Sequence, residues 1–235
     1  MTPASDPDAQ ELLRKFLGDR RFLFMLPRAV TLQMLHPGIA AGIDQHALHR
    51  DRIWLHKQRA VTQAIEIAHS DRDMRPAIRF SHEHVTGVTE DGSKYHALQP
   101  DLFHFVHATY VETLFGMVET FIAPLDDNRR TTLYRGCCDW YRRYGISARP
   151  MPESWPEFTE YFDDCCRTEL RPGPHFERYR DEILDPSDWW PRVVPRRAIR
   201  AMQHPYAREL AGIDVSRRDT RSLRLFSYTC RVLTL

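Results

Sequence analysis

Apolar residues recur along most of this chain at helical spacing, and proline, glycine and capping residues cut that recurrence into segments. The first segment runs from Pro7 to Gly18, with Ser5 and Asp6 as caps, Pro7 in the first turn and Gly18 at the end. Residues 1–6 read as a flexible terminus. Arg28–Leu35 reads as a short helix that stops before Pro37, because a proline ring disfavours helical backbone in the residue before it. Pro37–Ala47 opens the next helix, with Gly38 and Gly42 one turn apart, as close helix packing would want. Over Ile53–Ala68, Trp54, Ala60, Val61, Ala64, Ile65 and Ala68 form a stripe, and Asp73–His84 continues helical.

The pattern then changes. Glu90-Asp91-Gly92-Ser93 is a turn signal between Val85/Val88 and Tyr95, so a small hairpin is expected within Thr86–His96. Pro100 to about Ala123 is the most helix-like stretch, with Leu102, Phe103, Val106, Tyr110, Leu114, Met117 and Phe121 on one face. Asp126 or Asp127 caps a helix that ends at Gly145, and Ser154-x-x-Glu157 is a capping box for one running to about Leu170. Further helices are expected over Pro186–Met202, Tyr206–Ala211 and Ser216–Leu233. No run of alternating strands exists, so the expected class is all-α.

Composition narrows this picture. At 235 residues the chain suits one domain spanning 1–235, and 33 Lys+Arg against 32 Asp+Glu leave a net charge of +1. Such a balance gives no global field for nucleic acid or an anionic membrane. The stretch Trp190–Leu235 does hold ten arginines, but no interleaved aromatics provide stacking platforms for bases. Met1–Gly18 lacks a basic segment followed by a long apolar one, and the early apolar run Phe22–Leu26 is far too short for a membrane span. A cytoplasmic protein with no membrane span is therefore expected, its five cysteines reduced, since both adjacent pairs are vicinal and no CxxC occurs. No GxSxG, P-loop or GxGxxG motif is present either.

Twelve histidines are the compositional oddity. His107 lies beside the apolar face of the long helix, where an ordinary core histidine would bond a carbonyl. An axial haem ligand is the functional alternative, and the small Ala108 beside it would let a flat macrocycle approach. Glu66-x-x-His69, with Asp101-x-x-His104 as a partial second copy, has the spacing of di-iron helical bundles. His82-x-His84 and His104-x-x-His107 have usable zinc spacing, without a third ligand in a supporting pattern.

Three blocks in order carry a resemblance. They are Gln33-Met34-Leu35-His36-Pro37-Gly38-Ile39-Ala40-Ala41-Gly42 followed by Gln45-His46; His82-Glu83-His84-Val85-Thr86-Gly87 followed by Asp91-Gly92-Ser93-Lys94-Tyr95-His96-Ala97; and Pro100-Asp101-Leu102 through Val106-His107-Ala108-Thr109. Together they resemble the catalytic-domain family of the ER-bound oxygenase mpaB and the rubber oxygenase (latex-clearing protein), with weaker similarity over most of the remaining chain. The resemblance implies an all-α, globin-like core around haem b, with iron bound by His107 and O2 used on a small, largely apolar metabolite. His36 and His46 become candidates for the cofactor pocket, and some arginines for the haem propionates. The rubber oxygenases carry R-x-x-K-T on the distal side. Here Thr62 is retained, Gln58 replaces the arginine and Val61 the lysine; Lys57 and Arg59 sit adjacent, and one of them reaches the same space only on a shift of helix register, so Thr62, Gln58 and Arg59 are the candidate catalytic group. Distal donors decide whether bound O2 is activated or only held. Haem binding without turnover, for sensing or carriage, is accordingly the second expectation, and a non-haem di-iron bundle the third. A homodimer, with the Arg-rich C-terminal helix against a second subunit, is the assembly to consider.

Overall fold

The structure is a computed structural model that describes residues 6–48, 51–70 and 72–232. The flexible terminus expected at 1–6 lies, apart from Asp6, outside the described residues, as do Ser5 and Leu233. In chain order the helices are α1 (Pro7–Leu17), α2 (Arg21–Leu35), α3 (Pro37–His46), α4 (Ile53–His69), α5 (Arg75–His82), α6 (Pro100–Phe121), α7 (Asp127–Arg143), α8 (Trp155–Thr168), α9 (Pro174–Leu184), α10 (Arg196–Met202), α11 (Pro205–Leu210) and α12 (Arg217–Val232). Two short strands, β1 (Thr86–Val88) and β2 (Lys94–His96), lie between α5 and α6. The fold is mostly α, as the sequence pattern implied.

Local chemistry accounts for the ends of several elements. Asp6 caps α1 by accepting from Asp8 N and Ala9 N at 3.1 and 3.3 Å. Asp126 caps α7 through Arg129 N at 2.8 Å. Ser154 caps α8 by accepting from Glu157 N, the half of the capping box that the Ser154-x-x-Glu157 spacing foretold, while Glu157 Oε2 accepts from Glu153 N, one residue before the cap, instead of Ser154 N. In the hairpin, β1 and β2 pair antiparallel with Gly87 opposite Tyr95. Its turn closes through Asp91, which accepts from Thr89 Oγ1 and Ser93 N, and through Gly92 at φ +84°.

The middle of the molecule is α2 against α6. Both are buried on most of their circumference, as helices without a solvent stripe must be. The Arg28 guanidinium on α2 grips the Glu112 carboxylate on α6 and also donates to Met202 O at the end of α10. On one side α1 lies so close to α7 that a Cβ on Gly136 would come within 2.4 Å of Ala9 O.

Two expectations needed correction. The helix expected at Arg28–Leu35 starts at Arg21 and runs through Pro27, because burial of Phe22, Met25 and Leu26 outweighs the one hydrogen bond that a proline forfeits. Pro186–Met202 is not one helix: only a 3-10 turn at Pro191–Val193 precedes α10, and Pro191 and Pro195 supply the interruption. In addition, α9 occupies a stretch for which no element was expected.

Candidate active site

A cavity of about 470 Å³ lies between α3, α4, α5, α6 and the hairpin. This is within the range of small-molecule sites. Its walls are largely apolar: Ile39 and Ile43 come from α3, Ala60, Ala64 and Ile67 from α4, Phe103 and Val106 from α6. The hairpin is pinned over α3 by Gly87, where a Cβ would meet Gln45 Oε1 at 2.5 Å and Tyr95 Oη at 2.7 Å. Only glycine permits the Tyr95–Gln45 hydrogen bond of 2.7 Å to form beneath it.

His107 lines this cavity and is 4% exposed. Its Nε2 lies 3.2 Å from the Cys137 carbonyl on α7. A carbonyl only accepts, so Nε2 carries the proton and Nδ1 keeps the lone pair. That Nδ1 is buried and has no hydrogen-bond partner. Burial, with His104 beside it, holds the imidazole well below its ordinary pKa of 6.5 against the pull of the Cys137 carbonyl, so the ring is neutral. Trp140 packs edge-on at 4.6 Å between ring centres, and its own Nε1 donates to Ala64 O, which fixes the wall. A carbonyl on one nitrogen is what a core histidine would show. The orphaned lone pair on the other is what an unused metal-ligating imidazole shows, with its second nitrogen already oriented.

The other candidates separate. His46 reaches the cavity from the end of α3, half-buried, with Nε2 donating to Thr86 O at 2.9 Å. His36 does not line it: the ring packs 5.4 Å from Phe105, and burial lowers its pKa to about 4. Arg59 is exposed and lines the cavity, whereas Gln58 and Thr62 are exposed and do not. His69 places its two nitrogens against the carbonyls of Ile65 and Arg14, at 2.9 and 3.3 Å. His104 Nδ1 meets the Tyr161 hydroxyl at 2.9 Å. Among the described residues, no three His, Cys, Asp or Glu side chains gather as metal ligands. All five cysteines are free.

The sequence placed Lys57 beside Arg59 as able to reach the distal space on a shift of helix register, but outside the candidate catalytic group; the structure gives it a place in the cavity. Lys57 is 4% exposed, lines the cavity, and donates to Gln33 Oε1 at 2.5 Å. Gln33 in turn donates from Nε2 to Thr109 Oγ1 at 2.7 Å, and Thr109 donates to Val106 O. Burial alone pushes the Lys57 ammonium down to about 7. The signal was present, since Trp54, Lys57, Val61, Ala64 and Ala68 are spaced 3-4-3-4 and share one helix face.

These features define a helical domain with a small-molecule cavity, walled by apolar side chains and carrying a neutral imidazole and a buried amine. The chain belongs to a family of oxygenase catalytic domains. The model described as "ER-bound oxygenase mpaB/B'/Rubber oxygenase, catalytic domain" matches residues 14–234. No curated protein and no solved structure matches it. No described helix is long and apolar enough to cross a membrane.

Proposed function

We propose that this domain is a haem b-dependent oxygenase acting on a small, largely apolar metabolite, with His107 as the residue that would hold the haem iron. The observation that carries this reading is the buried, unpartnered Nδ1 of a neutral His107 in a residue that lines the cavity. When bound, haem b would supply activation of O2. The protein's part is binding and positioning. The Cys137 carbonyl holds the His107 ring and its tautomer, and raises the basicity of the free nitrogen. Arg59 and His46, at the cavity's polar edge, suit the propionates. Lys57 and Gln33 are the hydrogen-bonding group inside the cavity, in the part that Gln58 and Thr62 do not reach, while the apolar walls take the metabolite and exclude water.

Adding haem to the purified protein is expected to produce a Soret band that His107→Ala abolishes or severely weakens. No band in the wild type, or one unchanged in the variant, would remove His107 from this role. Haem binding without turnover is the second reading, favoured by the placement of Gln58 and Thr62 outside the cavity. Oxygen consumption with an alkene-bearing substrate and a reductant separates the two.

A further inference from the structure

Charge inside the cavity has one sign. Among the described residues lining it are a lysine, an arginine and five histidines, but no aspartate or glutamate. Lys57 is the innermost of the two cations, 4% exposed against an exposed Arg59. An ammonium has three protons to donate. Its hydrogen bond among the described residues takes one, to Gln33 Oε1. Gln33 is held in place for this by Thr109, so the amide oxygen is committed to the lysine. A buried ammonium without a counter-charge is costly, and proteins place one only where a partner, a metal-like group or a ligand completes it. Among the described residues lining the cavity, no side chain supplies a negative charge to complete it.

We propose that the cavity takes an apolar molecule that ends in a carboxylate, and that Lys57 Nζ, oriented by Gln33, holds the carboxylate. This rests on the reading of the cavity as the site of the oxygenase reaction, and it narrows the substrate from apolar metabolites in general to acid-headed ones. Lys57 donates one of its spare protons to the ligand, and the two charges neutralise each other inside a cavity whose walls are largely apolar. The apolar body then lies along the α3–α4 wall towards His107. Carboxylates on an apolar body are also what haem propionates offer, so the test has to separate a substrate from the cofactor.

Decanoate and 1-decanol are matched probes, differing in the head group. Titration calorimetry at about pH 6, where Lys57 is charged, is carried out on the haem-free chain and on the chain after haem addition. Wild type is expected to bind decanoate about ten- to a hundredfold tighter than decanol, the factor that a hydrogen bond to an ionised group provides. Lys57→Met, checked for helix content by circular dichroism, is expected to bind both equally. Equal affinity of the wild type for the two probes overturns the proposal without recourse to any variant. A preference that survives in Lys57→Met also overturns it, by moving the anion to Arg59 or a histidine. If haem addition abolishes decanoate binding while Lys57→Met weakens haem uptake, the lysine belongs to a propionate and the substrate assignment falls. If no Soret band forms yet the Lys57-dependent preference holds, the cofactor reading falls and this one stands.

Discussion

Lys57→Met replaces a buried ammonium by an unbranched side chain of similar length and leaves the cavity wall apolar throughout. The lysine's folded pKa, about 7, lies below its ordinary 10.5, and burial is the cause. The unfolded chain therefore binds more protons than the folded one between those two values. Wild-type stability rises with pH across that window and carries the full cost of the buried charge below about pH 7. At about 1.36 kcal/mol per pH unit, the gap between 10.5 and about 7 amounts to about 5 kcal/mol. Methionine removes that cost. It also leaves Gln33 Oε1 without the donor it now has at 2.5 Å, which costs about 1–3 kcal/mol.

The two effects oppose each other only where the lysine would be charged. Near pH 6 the variant is expected to be more stable than the wild type by about 2–4 kcal/mol. Near pH 10.5, where the folded amine is neutral and the unfolded one half-charged, nearly all the burial cost is gone, the lost hydrogen bond dominates and the variant is expected to be less stable by about 0.5–2.5 kcal/mol. The sign of the difference therefore reverses. Urea unfolding of both haem-free proteins at a series of pH values measures it, and every other titrating group cancels in the comparison. A difference that stays constant from pH 6 to pH 10 would refute the reasoning, because it would mean that Lys57 keeps its solvent or has a counter-charge.

Two further substitutions test the packing around this site. Gly136→Ala places a Cβ 2.4 Å from Ala9 O and 3.0 Å from Leu13 Cβ; α1 must move away from α7, and thermal unfolding is expected to report a loss of about 1–3 kcal/mol or more. Glu112→Ala strands the Arg28 guanidinium between α2, α6 and the end of α10, and a loss of about 3–5 kcal/mol is expected in urea at neutral pH. Burial alone would raise the Glu112 carboxyl, but Arg28 outweighs it and holds the pKa below the usual range. The stabilisation is therefore present at neutral pH and is lost as pH falls through the folded pKa, so the gap between the two proteins should narrow in acid.

Much of the helical framework was legible because caps and prolines state helix ends locally. Asp6, Asp126 and Ser154 all make the hydrogen bonds their positions implied. The failures fall where a proline's effect depends on tertiary burial. The expected helix began at Arg28, whereas Pro27 lies inside α2, whose burial is a tertiary fact. Pro191 and Pro195 interrupt the stretch expected as one helix over Pro186–Met202. Pro174 begins α9, where no element was expected although Phe176, Tyr179, Ile183 and Leu184 form a stripe at helical spacing. His107 was legible as a buried imidazole on an apolar face. That its Nε2 would be spent on Cys137, thirty residues on, was not, since only the α6–α7 packing brings them together.

Lys57 stayed outside the candidate group because the comparison ran position by position and admitted it only on a shift of helix register. The rubber oxygenase cluster leads one to look for a lysine at position 61, and Val61 there suggests that the distal cation is gone. Position 57 is four residues earlier, about 6 Å along the same helix face, since four residues are just over one turn. Both side chains are buried, and Lys57 lines the cavity. Lys57 therefore puts a cation on the inward face of α4 one turn before position 61, with Gln33 from α2 as its partner. A lysine at both positions would set two ammoniums one turn apart in an apolar wall without a carboxylate, which the desolvation of either alone already disfavours. The two arrangements thus exclude each other. A comparison confined to position 61 therefore registers no cation, whereas the inward face of α4 carries one at position 57, with protons to donate into the cavity.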